Sequence, residues 1–156
     1  MSLTLTINGE ARSYDGDLRA PLAEVLRETF GLIGTKPVCG EGFCGACTVL
    51  VDGEAVPACL RPVGLLVGRR IVTIEGMSSP AELNRIQEAL AEHDVVQCGM
   101  CFPGIVMSLS DLLARNPAPS RSEVKSALTG NACRCTGYER IVDAVLSLTR
   151  PEDTPT

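Results

Sequence analysis

Apolar and polar residues alternate at the start of the chain, as they do in a β-strand that is buried on one face. The alternation covers residues 3–7, and the asparagine-glycine pair after it is a strong signal for a hairpin turn into a second strand over 11–14. From Pro21 the spacing of apolar residues becomes helical, with Gly31 as the expected end of the helix. The first segment therefore predicts a β-hairpin followed by one helix.

Strand periodicity returns after a loop that contains several cysteines. Residues 48–51 form an apolar run, an aspartate-glycine pair gives a second tight-turn signal, and residues 54–58 are expected to return as a strand that delivers Cys59. Residues 70–74 are predicted to form the last strand. These elements predict a mixed sheet with one helix packed across it.

The composition changes at residues 77–80, a polar stretch that ends in proline, and this change predicts a boundary between domains of residues 1–77 and 78–156. After it, apolar residues recur at helical spacing in four segments, and residues 120–123 fit a capping box that opens the third of them. The four segments contain Ile86, Ile105, Val124 and Ile141. Four helices of this length predict a compact helical bundle.

Eight cysteines form two quartets that differ in spacing. The first quartet has a C-x4-C-x2-C loop and a distant fourth thiol, which is the spacing of a plant-type [2Fe-2S] cluster. The second pairs C-x2-C with C-x-C and can enclose one further four-coordinate site. The first quartet is Cys39, Cys44, Cys47 and Cys59, and the second is Cys98, Cys101, Cys133 and Cys135. Two metal centres on one small chain point to electron transfer.

Zinc and disulfides are the alternatives for these thiols. Structural zinc prefers paired C-x2-C knuckles, so it matches the first quartet poorly but is compatible with the second quartet taken alone. Disulfides are disfavoured because 156 residues are enough to form a hydrophobic core without them. Glycines alternate with the ligands of the first loop at Gly40, Gly42 and Gly45, where they allow the backbone to curl with its amides toward the sulfurs.

Charge and hydropathy narrow the classes of partner. The net charge of -5 argues against electrostatic binding to the phosphates of a nucleic acid. No apolar run approaches the roughly 20 residues of a membrane-spanning helix, so we expect no membrane association. The first residues lack the basic and apolar segments of a secretory signal. We therefore expect the protein to be located in a reducing cytoplasm, where clustered thiols serve as metal ligands.

Three sequence blocks carry a resemblance to a known family. They read C-G-E-G-F-C-G-A-C-T-V-L-V-D-G from Cys39, Q-C-G-M-C-F-P-G from Gln97 and G-N-A-C-R-C-T-G-Y from Gly130. Together they closely resemble the small iron-sulfur subunit of the molybdenum hydroxylases, the family of xanthine oxidase, aldehyde oxidoreductase and carbon monoxide dehydrogenase. The similarity spans nearly the whole chain.

The resemblance implies an α+β fold and an electron-transfer role. The expected fold is an N-terminal β-grasp domain like that of plant-type ferredoxin, then a C-terminal four-helix bundle, each holding one [2Fe-2S] cluster. In such enzymes a large subunit carries a molybdenum-pterin cofactor, here expected to be molybdopterin cytosine dinucleotide, and a medium subunit carries FAD. The small subunit passes electrons from molybdenum toward FAD or another acceptor, within a heterotrimer or a dimer of heterotrimers. We find no general base, nucleophile or substrate pocket in the sequence, so we expect no catalytic residue in this chain.

Individual site residues follow from the same resemblance. The cluster nearer the pterin would be held by Cys98, Cys101, Cys133 and Cys135, and the flavin-side cluster by Cys39, Cys44, Cys47 and Cys59. Gln97 matches the residue that hydrogen-bonds the pterin, and Cys135 matches the ligand that also contacts it. The sequence departs from the family pattern at Val38, Phe102 and Ala132, none of which is a ligand position.

A different class of function stays open at this point. The chain could be a free-standing ferredoxin-like carrier or a metal-stabilised interaction module that docks on a partner. The Q-C-G-x-C block at Gln97 separates the two cases, because a free carrier has no use for a second, helix-held cluster beside a residue that contacts a pterin. The electron-transfer subunit is therefore the favoured interpretation.

Overall fold

A computed structural model describes residues 2–79 and 81–149. Its five strands form one sheet, and their bounds are β1 (Leu3–Ile7), β2 (Glu10–Tyr14), β3 (Thr48–Val51), β4 (Glu54–Pro57) and β5 (Arg70–Val72). The strand order is β2-β1-β5-β3-β4, with β1 and β5 parallel and the other neighbours antiparallel. The sheet is therefore mixed, as the alternation predicts.

Both predicted hairpin turns are present and have the same geometry. Asn8 and Gly9 have φ values of 52° and 82°, and Asp52 and Gly53 have values of 52° and 92°. Two successive positive φ values are the mark of a type I′ turn, whose twist matches that of the strands it joins. The register of β1 with β2 and of β3 with β4 therefore follows from local sequence.

Within residues 2–79, one helix packs against the sheet, and it changes its winding after a single turn. It begins as α1 (Leu22–Glu24) and continues as the wider π-helical segment Val25–Thr29. Gly31 follows with a φ of +68°, which is the predicted glycine stop. The core between helix and sheet includes Leu5, Ile7, Leu22, Leu26, Val49 and Ile71, all fully buried or nearly so.

Two strands end earlier than the alternation predicts. Strand β4 ends at Pro57, and Cys59 lies in the 3₁₀ turn Ala58–Leu60 rather than in a strand. Strand β5 ends at Val72 because the amide of Thr73 donates to the side chain of Asn8 (2.9 Å) instead of to a strand. A backbone amide that donates to an asparagine side chain is no longer available to a neighbouring strand, so strand pairing ends there.

Four further helices form the C-terminal half: α2 (Arg85–Glu92), α3 (Phe102–Arg115), α4 (Arg121–Ala127) and α5 (Glu139–Ser147). The capping box predicted at the start of α4 is present, with Ser120 and Glu123 as its members, and Asn84 and Gln87 form a second capping box at α2. Leu83, which has helical spacing from Ile86 in the sequence, precedes the helix and is half-exposed. Asn84 holds the cap position instead.

The helices enclose a second hydrophobic core, and α3 joins this core to the sheet. Its buried members include Leu90, Ile105, Leu109, Val124, Ile141 and Val145. Helix α3 contacts α2 and α4 on one side and β3 and β4 on the other. The carboxylate of Asp111 on α3 is mostly buried and accepts a hydrogen bond from the amide of Ala55 in β4 (3.3 Å). No helix in the described part of the chain is long and apolar enough to span a membrane.

Candidate metal centres

The first cysteine quartet lies in the loop before β3 and in the turn after β4. Three glycines in this loop have positive φ, namely Gly40 (71°), Gly42 (71°) and Gly45 (70°). They turn amides toward the thiols, as the sequence predicts: Glu41 and Cys44 each donate to Cys39 Sγ at 3.4 Å, and Gly42 donates to Cys59 Sγ at 3.2 Å. The loop therefore presents amide dipoles to the position where a negative centre would sit.

The thiols of this quartet differ in their tendency to ionise. The backbone amides of Glu41 and Cys44 lower the pKa of Cys39 to about 6, whereas burial raises the pKa of Cys47 to about 11. The thiolate is the form that binds a metal. Cys39 is therefore ready to bind at neutral pH, and Cys47 needs a nearby cation before it loses its proton.

The second quartet lies on two loops of the helical half. Cys98 and Cys101 precede α3, and Cys133 and Cys135 lie between α4 and α5. Burial raises the pKa of Cys101 to about 12, and the backbone amide of Met100 lowers the pKa of Cys98. Cys98 and Cys135 are exposed, so this site opens to the surface of the chain.

The contacts within the two quartets differ in kind. In the first quartet the Cys44 amide donates to Cys39 Sγ, and in the second the Cys98 and Cys135 thiols contact each other. The Cys98 and Cys135 sulfurs are 3.5 Å apart, and all eight thiols are free. Among residues 2–79 and 81–149, no three His, Cys, Asp or Glu side chains are grouped so as to hold one metal ion. Two pairs of thiolates are the donor set of a two-iron cluster, in which each iron takes two of them.

The two cysteine loops contact each other directly, which the sequence did not predict. The amide of Ala132 donates to the carbonyl of Cys44 (2.8 Å), and the side-chain amide of Asn131 donates to the carbonyl of Gly45 (3.3 Å). A Cβ at Gly104 would overlap that same carbonyl oxygen. No pattern in the sequence links these positions, because the contacts join segments that are far apart along the chain.

Gln97 and Cys135 lie near each other, beside the second quartet. Both line one small cavity beside the second quartet, together with Cys98 and Thr136. Gln97 is exposed in this chain, so its amide is open to a partner. The sequence-predicted residues of the second site are thus brought together at one surface.

Comparison with known proteins assigns a [2Fe-2S] domain to each half of the chain. A model of a 2Fe-2S iron-sulfur cluster binding domain matches residues 5–65, and a model of a [2Fe-2S] binding domain matches residues 73–146. Each matched segment contains one whole quartet. The chain belongs to the small iron-sulfur subunits of the molybdenum hydroxylases. Zinc, which the spacing of the second quartet left open, is thereby set aside in favour of a second [2Fe-2S] cluster.

Individual relatives agree with this assignment. The nicotine 6-hydroxylase small subunit of Paenarthrobacter nicotinovorans is 46% identical over 146 residues, which cover 94% of this chain and 88% of the relative. The crystal structure of quinoline 2-oxidoreductase from Pseudomonas putida 86 matches with a TM-score of 0.90 and 44% identity, covering 97% of this chain and 91% of that one.

In another relative the same unit is part of a longer chain. The aldehyde oxidoreductase of Desulfovibrio gigas matches with a TM-score of 0.91 and 40% identity, but the match covers 97% of this chain and only 18% of that one.

The two family matches and the relatives together show that the protein is the electron-transfer component of an oxidoreductase complex and binds [2Fe-2S] clusters. This assignment favours the electron-transfer subunit over the free-standing carrier.

Proposed function

We propose that this chain carries electrons from the molybdenum-pterin centre of a large partner subunit, through its two clusters, toward FAD in a medium subunit or another acceptor. The observation that supports this most is the presence of two thiol quartets on loops that touch each other. When bound, each cluster supplies a site that accepts and releases one electron. The contribution of the chain is to hold these sites close together and to set their surroundings.

The eight cysteines are proposed as the ligands, and each quartet is proposed to divide into two pairs. Cys39 and Cys44 would bind one iron of the first cluster, and Cys47 and Cys59 the other. In the second cluster the proposed pairs are Cys98 with Cys135 and Cys101 with Cys133. Each pair brings two sulfurs to one iron, which is how four thiolates are shared in a [2Fe-2S] core.

The second quartet is proposed to face the pterin, and the first quartet the flavin side. Exposure supports this order, since Cys98, Cys135 and Gln97 all reach the surface at one cavity. The side-chain amide of Gln97 would hydrogen-bond the pterin, and Cys135 would contact it. A partner that covers this surface would also shield the exposed thiols from solvent.

The wider assembly rests on the family. We propose a large subunit with molybdopterin cytosine dinucleotide and a medium subunit with FAD, in a heterotrimer or a dimer of heterotrimers. Residues 1–77 and 78–156 are proposed as a β-grasp domain and a four-helix bundle domain, a division that the two separate cores support. The substrate is chosen by the partner subunit, and the cytoplasmic location stays a prediction.

Rapid freezing of the native complex during turnover tests the proposed order. Cys98→Ser and Cys39→Ser variants first assign the two paramagnetic signals, because each should alter only the signal of its own cluster. After addition of substrate, the signal of the cluster held by the second quartet should appear first. Earlier reduction of the cluster held by Cys39 would reverse the proposed path.

A further inference from the structure

A three-residue segment of the second cysteine loop, Asn131 to Cys133, uses its polar groups on both sides. Toward the first loop, the Asn131 side chain donates to the carbonyl of Gly45 (3.3 Å) and the Ala132 amide donates to the carbonyl of Cys44 (2.8 Å). Asn131 is almost completely buried although it is polar. A buried amide of this kind is retained where its hydrogen bonds fix a unique arrangement.

The other side of the segment is held by one hydroxyl group. Tyr138 Oη donates to the carbonyl of Asn131 (2.9 Å) and accepts from the amide of Cys133 (2.7 Å). These two bonds flank Ala132, whose amide is the one that reaches the first loop. The hydroxyl therefore fixes the backbone on both sides of Ala132, the residue that makes the contact between the loops.

The backbone of Tyr138 is itself in an unusual conformation. Its φ of 68° is in the left-handed region, which is unfavourable for a residue with a bulky side chain. The Tyr138 amide donates to Thr136 Oγ1 (3.2 Å), and that hydroxyl donates to Cys133 Sγ (3.2 Å). Backbone strain of this kind persists where surrounding hydrogen bonds hold the residue in place. Here those hydrogen bonds involve Cys133, a proposed cluster ligand, and the residues next to it.

We propose that Tyr138 is a positioning residue that sets the alignment of the two clusters. By fixing Asn131, Ala132 and Cys133, its hydroxyl keeps the Ala132 amide on the carbonyl of Cys44. That hydrogen bond then connects a ligand of the first cluster to the residue next to a ligand of the second. The inference rests on the proposed function of the two quartets as cluster ligands.

The hydrogen bond gives a short connection between the quartets. It runs from Cys133 through one peptide unit to Ala132, across the hydrogen bond, and into the backbone of Cys44. The second quartet would hold the cluster that gives up one electron and is oxidised, and the first quartet would hold the cluster that accepts this electron and is reduced.

Replacement of the hydroxyl tests this role directly. Tyr138→Phe keeps the ring, which packs against the helical core, and removes only the oxygen. In the intact complex reduced with dithionite, we expect unchanged iron and sulfide content but a loss of the magnetic splitting that the two reduced clusters impose on each other. We also expect faster hydrogen exchange in the peptide that contains Ala132 and a lower rate of electron transfer between the clusters.

The chain offers a matched control in its other tyrosine. Tyr14 is buried whereas Tyr138 is half-buried, and the Tyr14 hydroxyl donates to the carbonyl of Asp17 (3.2 Å) in the sheet half, far from the cysteine loops. Tyr14→Phe should therefore leave the magnetic splitting and the exchange at Ala132 unchanged. An unchanged splitting in Tyr138→Phe, or an equal change in both variants, would overturn the inference.

A second variant keeps the test decisive if Tyr138→Phe incorporates less iron. Asn131→Ala removes the bond to Gly45 but keeps the carbonyl that accepts from Tyr138, and it should weaken the splitting in the same direction. Normal splitting in an iron-replete Asn131→Ala complex would then contradict the proposed alignment. Absence of iron from the wild-type chain would instead refute the proposed function, so the two failures are distinguishable.

Discussion

Two glycines in the first cysteine loop have nearly the same backbone angle but different surroundings. Gly40 (φ 71°) has no atom within 4 Å of the place where a Cβ would stand, whereas a Cβ at Gly45 (φ 70°) would overlap the carbonyl oxygen of Gly130 and the side chain of Asn131. Gly40 is therefore needed for its backbone angle alone. Gly45 is needed for its angle and for the close approach of the second loop.

Alanine at these two positions should separate the two requirements. Gly40→Ala should lower the free energy of unfolding by about 1 to 2 kcal/mol, because an L-residue is placed in the left-handed region. Gly45→Ala carries the same backbone strain and a steric clash between the loops, so it should be more destabilising and should reduce the iron content. Thermal unfolding and iron analysis of both variants measure the difference, and equal effects would contradict the tight contact at Gly45.

Gln97 offers a test of the surface proposed to face the pterin. It supplies no thiol and is exposed, so Gln97→Ala should leave the iron content and thermal stability of the separated chain unchanged. In the complex, a buried cofactor group would lose a hydrogen-bond partner at about 1 to 3 kcal/mol. Reduction of the clusters by substrate should slow, or the cofactor should be retained less well.

The opposite pattern would assign Gln97 a role within its own chain. Loss of iron or of stability in the separated variant, with normal reduction by substrate in the complex, would mean that Gln97 supports only the local cysteine loop. Full cofactor occupancy together with normal reduction kinetics would also rule out the pterin contact.

At the level of elements, helix α3 connects the sheet to the second quartet. Its first turn includes Gly104, which lies against the carbonyl of Gly45 in the first cysteine loop. Two turns later, Asp111 accepts the amide of Ala55 from β4. The helix that follows Cys101 is thus attached to the sheet half at two separate points, which fixes its direction.

Asp111 should contribute more to this attachment than its ion-pair partner does. The Asp111 side chain is 12% exposed and that of Arg115 is 69% exposed. Asp111→Ala leaves the Ala55 amide without its charged acceptor and should lower the free energy of unfolding by about 1.5 to 3 kcal/mol. Arg115→Ala should lower it less, because exposed ion pairs contribute little to stability. Equal losses in thermal unfolding of the two variants would show that the Ala55 bond adds nothing.

Elements defined by local signals could be predicted from the sequence. The two type I′ turns, the glycine after α1 and the capping box of α4 each depend on residues within a few positions of one another. The π-helical continuation Val25–Thr29 and the placement of Cys59 in a 3₁₀ turn could not, because tertiary packing decides them. The spacing of the cysteines likewise predicted two centres, while the contact of Ala132 with Cys44 depends on how distant segments pack.

For the whole molecule, the two quartets differ in how far the chain covers them. Cys47 and Cys59 are buried and belong to the core of the sheet half, whereas Cys98 and Cys135 are exposed. The chain by itself therefore shields its first site better than its second. This difference fits a second site that is completed by a partner surface.

The cluster of the second quartet should accordingly be lost first when the chain is separated from its partners. Treatment with an iron chelator, followed by magnetic resonance of samples reduced at intervals, should show one signal disappearing well before the other. In the intact complex the two signals should decay at more similar rates. Earlier loss of the signal altered by Cys39→Ser would contradict the order of exposure.

Quantitative metal analysis combined with magnetic resonance tests the central claim most directly. A chain with two [2Fe-2S] domains should contain four iron and four acid-labile sulfide, since each cluster has two of each. On reduction it should give two different resonances, because the loops of Cys39 and Cys98 surround their sulfurs with different groups. Stoichiometric zinc, or a single resonance from two irons per chain, would contradict the account.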